Sequence, residues 1–263
     1  MEVIIGIFVY SSLIIGLAVL VGGICSRSSQ NKNRNISAQE ELRQADYFMQ
    51  THNSYYEVMT DAGKKGEFII GRSIDQLTGY KRILYNCYIP KPDGGTTEID
   101  IILIHETGIY VIESKNYKGW IFGSENEKYW TQTLYRSNGY GTKNVQKNHF
   151  YNPVIQNKGH IKLLRQYLNM PEVPVYSYIV FGNEATLKKV GVRSPFLYVV
   201  TQRDALSAII YNANCVGRQF SNEFIEQLYL QLFPFTQVSE LQKMEHVNQV
   251  CKKKMVMGII NEE

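Results

Sequence analysis

The chain has 263 residues, of which 44% are hydrophobic and 20% charged, and its formal charge is +4. This length and apolar content suit one α/β domain with a real core plus additional segments, which excludes a wholly disordered protein. The four cysteines are scattered and form no Cys-x-x-Cys pair, which argues against a zinc site and a disulfide framework.

The first predicted element is a transmembrane helix within residues 1–25. The run Val3–Ile24 carries no charge and is long enough to cross the hydrocarbon core, which needs about 20 residues. Arg27, Lys32 and Arg34 follow it directly, and the positive-inside rule then leaves the rest of the chain in the cytoplasm. We therefore expect a single-pass protein of the cell membrane with a cytoplasmic C-terminal domain.

Residues 26–60 are predicted to form a polar linker and a juxtamembrane helix. Ser37 and Glu40 have the spacing of a capping box, which predicts a helix that runs to about Gln50. A second helix is predicted over Ala62–Leu77, with Glu67 on its apolar face.

Three strands are predicted next, in the stretches YKRILYNCYI, TEIDIILIH and GIYVIESK. The last two form a hairpin around Glu106, Thr107 and Gly108. A loop that contains Trp120 and Trp130 follows, and both tryptophans are interpreted as core or loop anchors rather than base-stacking platforms.

The next predicted helix runs from Pro153 to about Leu168, with Asn152 as its N-cap. Two further strands, VPVYSYIVFG and PFLYVVT, precede a helix over Asp204–Tyr211. A crossover between the strands on either side of the middle helix makes part of the sheet parallel. The sequence thus predicts an α/β domain over residues 61–212, with a mixed sheet flanked by helices, and a helical C-terminal tail over residues 213–263.

The hairpin carries the candidate chemistry. Side chains alternate along a strand, and directly opposed residues share a face of the sheet. A loop of two or four residues therefore places Asp100 opposite Glu113 or Lys115, whereas a loop of three residues separates them. Two converging carboxylates need a cation between them, and hard oxygen ligands suit Mg²⁺ or Mn²⁺. Solvated strand ends are the alternative.

The stretches GEFIIG, TEIDIILIHETGIYVIESKNYKGWIFG and NPVIQNKGH, together with Trp130, resemble the nuclease-related domain (NERD) in order and spacing. That domain is similar to the PD-(D/E)-X-K nuclease superfamily, which implies a restriction-endonuclease-like core. The resemblance covers roughly residues 63–181. It implies that Asp100, Glu113 and Lys115 are the catalytic Asp, Glu and Lys, with Asp100 and Glu113 as metal ligands. It also implies catalytic places for Glu67 and Gln156.

Gln156 has two interpretations that its position in the sequence does not separate. It is either a surface glutamine or a site residue near the free N–H groups at the start of a helix. We interpret His105, His149 and His160 as solvated histidines, with His149 as a further candidate phosphate contact.

No Asp or Glu occurs from Lys128 to Pro171, where basic residues alternate with aromatic ones. Such a composition suits a polyanion whose bases stack, although a solvated basic face over an aromatic core also explains it. The candidate nucleic-acid contacts are Lys143, Lys147, Lys158 and Lys162.

The sequence therefore predicts a membrane-anchored, divalent-metal-dependent nuclease that hydrolyses phosphodiester bonds of DNA. The alternative is a non-catalytic module that keeps the nuclease-like fold and binds nucleic acid or a protein partner. A scaffold that recruits a partner through its C-terminal helices is a third, weaker interpretation.

Overall fold

A computed structural model describes residues 46–137 and 143–256 of the chain. Elements from residue 50 onward belong to one compact unit, Gln50–Glu263. The helices are α1 (Asp46–Thr51), α2 (Tyr55–Thr60), α3 (Ala62–Ile74), α4 (Pro153–Leu168), α5 (Gln202–Val216), α6 (Asn222–Leu232) and α7 (Glu240–Val256), with a 3₁₀ turn at Phe233–Thr236. The strands are β1 (Lys81–Pro90), β2 (Thr96–His105), β3 (Gly108–Lys115), β4 (Gly119–Ser124), β5 (Tyr129–Ser137), β6 (Lys143–Tyr151), β7 (Val175–Phe181), β8 (Ala185–Gly191) and β9 (Leu197–Thr201).

The first sheet has five strands in the order β1-β2-β3-β7-β9. The first three strands pair antiparallel, and β3, β7 and β9 pair parallel, as a helical crossover from β3 to β7 requires. The predicted mixed sheet flanked by helices is therefore confirmed.

Helices cover both faces of this sheet. On one face, Leu164 of α4 and Ile225 of α6 join Ile102 and Val111 in a buried cluster. On the other face, the Tyr178 hydroxyl donates to the Ala208 carbonyl of α5. Because both faces of the sheet are buried, β3 is a continuous apolar run up to Ile112. The polar residues at its end, Glu113 to Lys115, therefore interrupt the pattern expected of a buried strand.

A second sheet has the order β6-β5-β4-β8, and its strands β4, β5 and β6 occupy the region predicted to be a loop. The loop prediction is wrong. Trp130 of β5 is fully buried and stacks on Phe181 of β7, with ring centroids 6.1 Å apart, so it is a core residue that ties the two sheets together. Trp120 of β4 is partly exposed and packs edge-on against Tyr135.

Two predicted helices can be compared with the structure, and the N-terminal predictions cannot. The helix Pro153–Leu168 is confirmed, with Asn152 as its cap. The helix predicted over residues 204–211 is longer, Gln202–Val216. The predicted transmembrane helix and the Ser37 capping box lie outside the described residues, and within residues 46–137 and 143–256 no helix combines the length and apolarity needed to cross a bilayer.

Candidate active site

The loop between β2 and β3 has two residues, Glu106 and Thr107, because His105 pairs directly with Gly108. The ladder continues to the pair Ile101 and Ile112, so the next residues along the strands, Asp100 and Glu113, stand opposite each other. The Ser114 backbone N–H donates to Oδ2 of Asp100 at 2.8 Å, which fixes that carboxylate beside the end of β3.

Glu113 is the most enclosed member of the group, with 2% of its surface exposed. Its Oε1 accepts hydrogen bonds from Lys115 Nζ at 2.5 Å and from Gln156 Nε2 at 2.6 Å. Both donors come from predicted site residues, so Glu113, Lys115 and Gln156 form one hydrogen-bonded cluster. Gln156 is thus not a free surface glutamine.

The charges of the cluster are unbalanced. Burial raises the pKa of Asp100 well above its ordinary value, and the carboxylates of Glu113 and Glu67 raise it further. Burial alone would also raise the pKa of Glu113, but the Lys115 ammonium and the nearby His160 hold it well below its ordinary value. Burial would lower the pKa of Lys115, yet Glu113 and Asp100 raise it, so Lys115 stays charged.

Glu67 reaches this cluster through a residue that sequence reasoning missed. The Asn86 side chain donates to Oε2 of Glu67 at 3.1 Å. Asn86 has a φ of 48°. Its opposite residue on β2 is Asp100, but these two residues are not paired in the β1–β2 ladder, although their neighbours on both sides are. An asparagine inside the apolar stretch YKRILYNCYI is the signal that marks it, since asparagine is depleted in strands.

The interpretation of His160 as a solvated histidine is wrong. His160 is buried, its Nδ1 is hydrogen-bonded to the Thr97 hydroxyl at 2.8 Å, and its Nε2 lies 3.2 Å from Oε2 of Glu113. The Nε2 contact is close but does not have hydrogen-bond geometry. Strict alternation would put Thr97 and Asp100 on opposite faces, so this contact also shows that β2 is irregular at Asp100.

The other two histidines differ from each other. His105 is buried between the Thr107 hydroxyl and the Thr78 carbonyl, so its interpretation as solvated is also wrong. His149 is exposed, as predicted, and contacts the Thr131 hydroxyl.

Helix α4 holds Gln156 and His160 in place through buried asparagines. Asn152 caps the helix by accepting from the Val154 N–H at 2.9 Å. One turn on, Asn157 donates to the Val111 carbonyl and to the Ser177 hydroxyl, both at 2.9 Å, which fixes α4 against β3 and β7. These bonds explain why the start of α4 lies directly over Glu113.

The cluster faces a cavity of about 700 Å³. Asp100, Lys115, Gln156 and His160 contribute to its wall, and α7 contributes His246 and Val250. A cavity of this size is within the range of small-ligand sites. Three of the five predicted catalytic residues, Asp100, Lys115 and Gln156, therefore share one concave surface, while Glu113 lies buried beneath it in contact with Lys115 and Gln156. Glu67 is not part of that surface and is hydrogen-bonded to Asn86.

Residues 62–182 match the family model described as the nuclease-related domain. An uncharacterized protein of Bacillus anthracis is 34% identical over 168 residues, which cover 64% of this chain and 73% of the relative. The chain belongs to the nuclease-related domain family. No solved structure matches it.

The matched range of the nuclease-related domain contains all five candidate catalytic residues. It ends one residue after β7, so β8, β9 and helices α5 to α7 lie beyond it. The α7 residues that border the cavity are therefore outside the family match.

Three of the four predicted nucleic-acid contacts of this nuclease-related domain, Lys147, Lys158 and Lys162, do not lie in the cavity wall. Lys158 and Lys162 are exposed on α4 and line a separate groove together with Arg165. Lys147 is exposed on β6. Lys143 begins β6, and its side chain lies outside the part of the chain that the structure describes.

Proposed function

We propose that this chain is a divalent-metal-dependent nuclease that hydrolyses phosphodiester bonds of DNA. The observation that carries the proposal is the group of Asp100, Glu113 and Lys115 at one end of the β2–β3 hairpin, beside an open cavity. Burial raises the pKa of Asp100, and the carboxylates of Glu113 and Glu67, which outnumber the cations there, raise it further. Such a site gains stability when a cation binds.

The donor set fits Mg²⁺ or Mn²⁺. Asp100 and Glu113 would hold the ion, with Glu67 adding negative charge behind them. Among residues 46–137 and 143–256 there is no group of three or more His, Cys, Asp or Glu side chains that could hold a metal. Mg²⁺ usually keeps several waters and uses only one or two carboxylates, so two ligands are sufficient. The bound ion would supply an acidic water and neutralise phosphate charge.

The chain's own residues have distinct tasks in this proposal. Lys115 is held charged by Glu113 and borders the cavity, where a fixed cation stabilises the negative charge that develops on a phosphodiester during attack. Gln156 orients the Glu113 carboxylate through Oε1. The buried His160 limits the movement of the second oxygen.

We further propose that the nuclease is anchored in the cell membrane by Val3–Ile24, with its catalytic domain in the cytoplasm. The support is the uncharged length of that run and the basic residues after it.

One observation favours the alternative, a non-catalytic binding module. Glu113 already has two donors on Oε1 and His160 beside Oε2, so a metal ligand role requires one of these contacts to be exchanged. A module of this kind would bind nucleic acid or a protein partner with the same affinity whether or not metal is present.

The test is a cleavage assay on the purified full-length chain in detergent, with Mg²⁺, Mn²⁺ or a chelator. Asp100→Ala, Glu113→Ala and Lys115→Ala should each lower the cleavage rate at least about 100-fold. Asp93→Ala is the matched control, because Asp93 is exposed in the β1–β2 turn. This variant should cut DNA at the normal rate. Metal-independent cutting that survives Asp100→Ala would disprove the proposal, and metal-independent binding without cutting would favour the module.

A further inference from the structure

The C-terminal helix α7 forms part of the wall around the candidate active site. His246 and Val250 border the same cavity as Asp100 and Lys115. The outer face of the helix is exposed at Leu241, Met244 and Val247. The helix therefore lies beside the acidic cluster with one face turned toward it and the other toward solvent.

Specific contacts hold α7 there. His246 is buried, and its Nδ1 is hydrogen-bonded to the Thr96 hydroxyl at 3.0 Å. The ring of Tyr88 meets the His246 ring edge-on, with centroids 5.4 Å apart. Gln249 lies next to Gly95, with its Oε1 in the space that a Cβ at Gly95 would take. Each contact is made with the β1–β2 hairpin, so α7 is attached to the strand that carries Asp100.

The distance between α7 and the cluster is short. His246 Nε2 lies 3.8 Å from Oε2 of Glu98, and Glu98 is two residues from Asp100. Two residues of a strand span about 7 Å. An α-helix with its side chains is about 10–12 Å across. The helix thus rises beside the cavity within about two residues' length of Asp100 along β2.

Aromatic side chains belong to the wall contributed by the rest of the domain. Tyr117, Phe150 and Tyr151 border the cavity, and Tyr117 packs edge-on against Phe150 at 4.6 Å. Tyr151, at the end of β6, is partly exposed. Aromatic faces beside a phosphate site suit unpaired bases, which stack on them without regard to sequence.

From these observations we infer that the site takes a single strand of nucleic acid and that α7 excludes continuous duplex from it. The inference rests on the proposed nuclease function and names its substrate class. Duplex DNA is stiff over about 150 base pairs, so it cannot bend into a cavity with walls on several sides. A single strand can enter, place a phosphate beside Lys115 and stack its bases on Tyr117 or Tyr151.

The first test uses the full-length chain with metal and two circular substrates, one a single strand and the other a covalently closed duplex. The single-stranded circle should be cut at least about tenfold faster. Equal nicking of the duplex circle would overturn this inference and leave the proposed nuclease function intact.

A binding measurement without metal tests the preference for single strand separately from the proposed nuclease function. A labelled single-stranded oligonucleotide should be displaced by unlabelled single strand at about tenfold lower concentration than by duplex of the same length. If neither circle is cut, the proposed function fails, and this competition alone decides the inference. Equal or stronger displacement by duplex overturns it.

Variants then test the role of α7. The double substitution His246→Ala and Val250→Ala should reduce the preference for single strand, whereas Met244→Ala on the exposed face should not change it. An unchanged preference in the folded double variant would overturn the role of α7. If the double variant does not fold, Tyr151→Ala tests the inference instead. Weaker binding of single strand, with unchanged binding of duplex, supports the inference. Unchanged binding of single strand overturns it.

Discussion

At the scale of single residues, Asp100 and Glu113 are neighbours with opposite electrostatic conditions. Glu113 has Lys115 and Gln156 as direct donors, whereas Asp100 receives a single backbone N–H from Ser114 among the contacts described above. Burial, together with the Glu113 and Glu67 carboxylates, raises the pKa of Asp100. Burial acts on Glu113 in the same direction, but Lys115 and His160 outweigh it and lower the pKa of Glu113. Carboxylates whose surroundings separate their pKa values are typical of sites with divided chemical roles.

Asp100→Asn removes a buried charge and its repulsion with Glu113 and Glu67, so it should raise the melting temperature of the metal-free protein at neutral pH. The rise should be roughly 2–4 °C for each kcal/mol that is relieved. Because the folded-state pKa of Asp100 is raised, its charged form costs stability once pH rises above the unfolded value of about 3.9. The advantage of the variant should thus vanish near pH 3.9 and grow toward neutral pH. Melting curves across that range measure it, and a lower melting temperature at pH 7 would contradict the prediction.

Glu113→Gln should have the opposite effect. The substitution leaves Lys115 without its buried partner, and breaking such a pair costs about 3–5 kcal/mol. The folded-state pKa of Glu113 is lowered, so its contribution is fully present above pH of about 4.3 and is lost at lower pH. Calorimetry at pH 7 should show a melting temperature lower by on the order of 10 °C. Glu127→Gln, at an exposed turn, is the control, and an unchanged melting temperature for Glu113→Gln would show that the pair is not stabilising.

The residues of the hairpin could be predicted because their polarity interrupts apolar strands. His160 could not, since its burial depends on Thr97 and Glu113, which are distant in sequence and meet it only after α4 packs on the sheet. Asn86 could have been identified from the sequence, because it is a polar residue in an apolar strand. What no sequence pattern shows is its positive φ, which interrupts the pairing with Asp100.

At the scale of elements, the start of α4 is fastened to the second sheet. The Asn152 amide donates to the carbonyls of Ser124, Glu125 and Glu127, the last at 2.6 Å, while its oxygen caps the helix. One fully buried side chain thus connects the β4–β5 turn to the helix that carries Gln156. The position of the candidate active site therefore depends on the second sheet as well as on the first.

Asn152→Ala should destabilise the protein by about 2–4 kcal/mol, since it removes an N-cap worth about 1 kcal/mol and the part-buried hydrogen bonds to the Glu125 and Glu127 carbonyls. We also expect cleavage to fall, because α4 no longer positions Gln156 over Glu113. Denaturant unfolding measures the first effect. Asn148→Ala, on the partly exposed β6, is the matched control, and equal stabilities of the two variants would contradict the role assigned to Asn152.

The second sheet escaped prediction for a physical reason. Strands β5 and β6 read YWTQTLYRS and KNVQKNHFY, with few aliphatic residues and no sustained alternation. Among the side chains that the structure describes in these two strands, those that are buried are Trp130, Thr133 and Phe150. Strands of this kind are stabilised by pairing and by a partner sheet, which periodicity cannot show. The helix Pro153–Leu168 was predictable because its cap, first-turn proline and apolar stripe agree.

At the scale of the whole molecule, α4 separates two surfaces. The acidic cluster lies in the cavity on one side, and Lys158, Lys162 and Arg165 line a groove on the other. A nucleic acid bound in the cavity would need further phosphate contacts beyond Lys115, and a basic groove on the same helix can supply them for the flanking chain.

Binding of single-stranded DNA should weaken steeply with salt. Replacing both Lys158 and Lys162 by Gln should reduce the slope of log affinity against log salt by about 1.4, since each phosphate contact on a single strand contributes about 0.7. Lys188→Gln with Lys189→Gln, outside the acid-free window, is the matched control. Titrations between low and physiological salt measure the slopes, and identical slopes would assign the α4 lysines to a solvated face.

The membrane topology can be tested with the cysteines that the chain already contains. If Val3–Ile24 spans the membrane with Arg27, Lys32 and Arg34 inside, the nuclease-related domain is cytoplasmic. Cys215 is exposed and reports on this, whereas Cys87 is buried and would stay unlabelled on either side. A membrane-impermeant maleimide should therefore label Cys215 in lysed cells but not in intact cells.

Glu2→Cys provides the control for this experiment, because it precedes the apolar run and should face outward. With the same reagent, Glu2→Cys should be labelled in intact cells while Cys215 is protected. The opposite pattern would reverse the orientation. Labelling at both positions in intact cells would show that the apolar run does not separate them across a bilayer, and the proposal of a membrane anchor would then fail even if the nuclease assay succeeded.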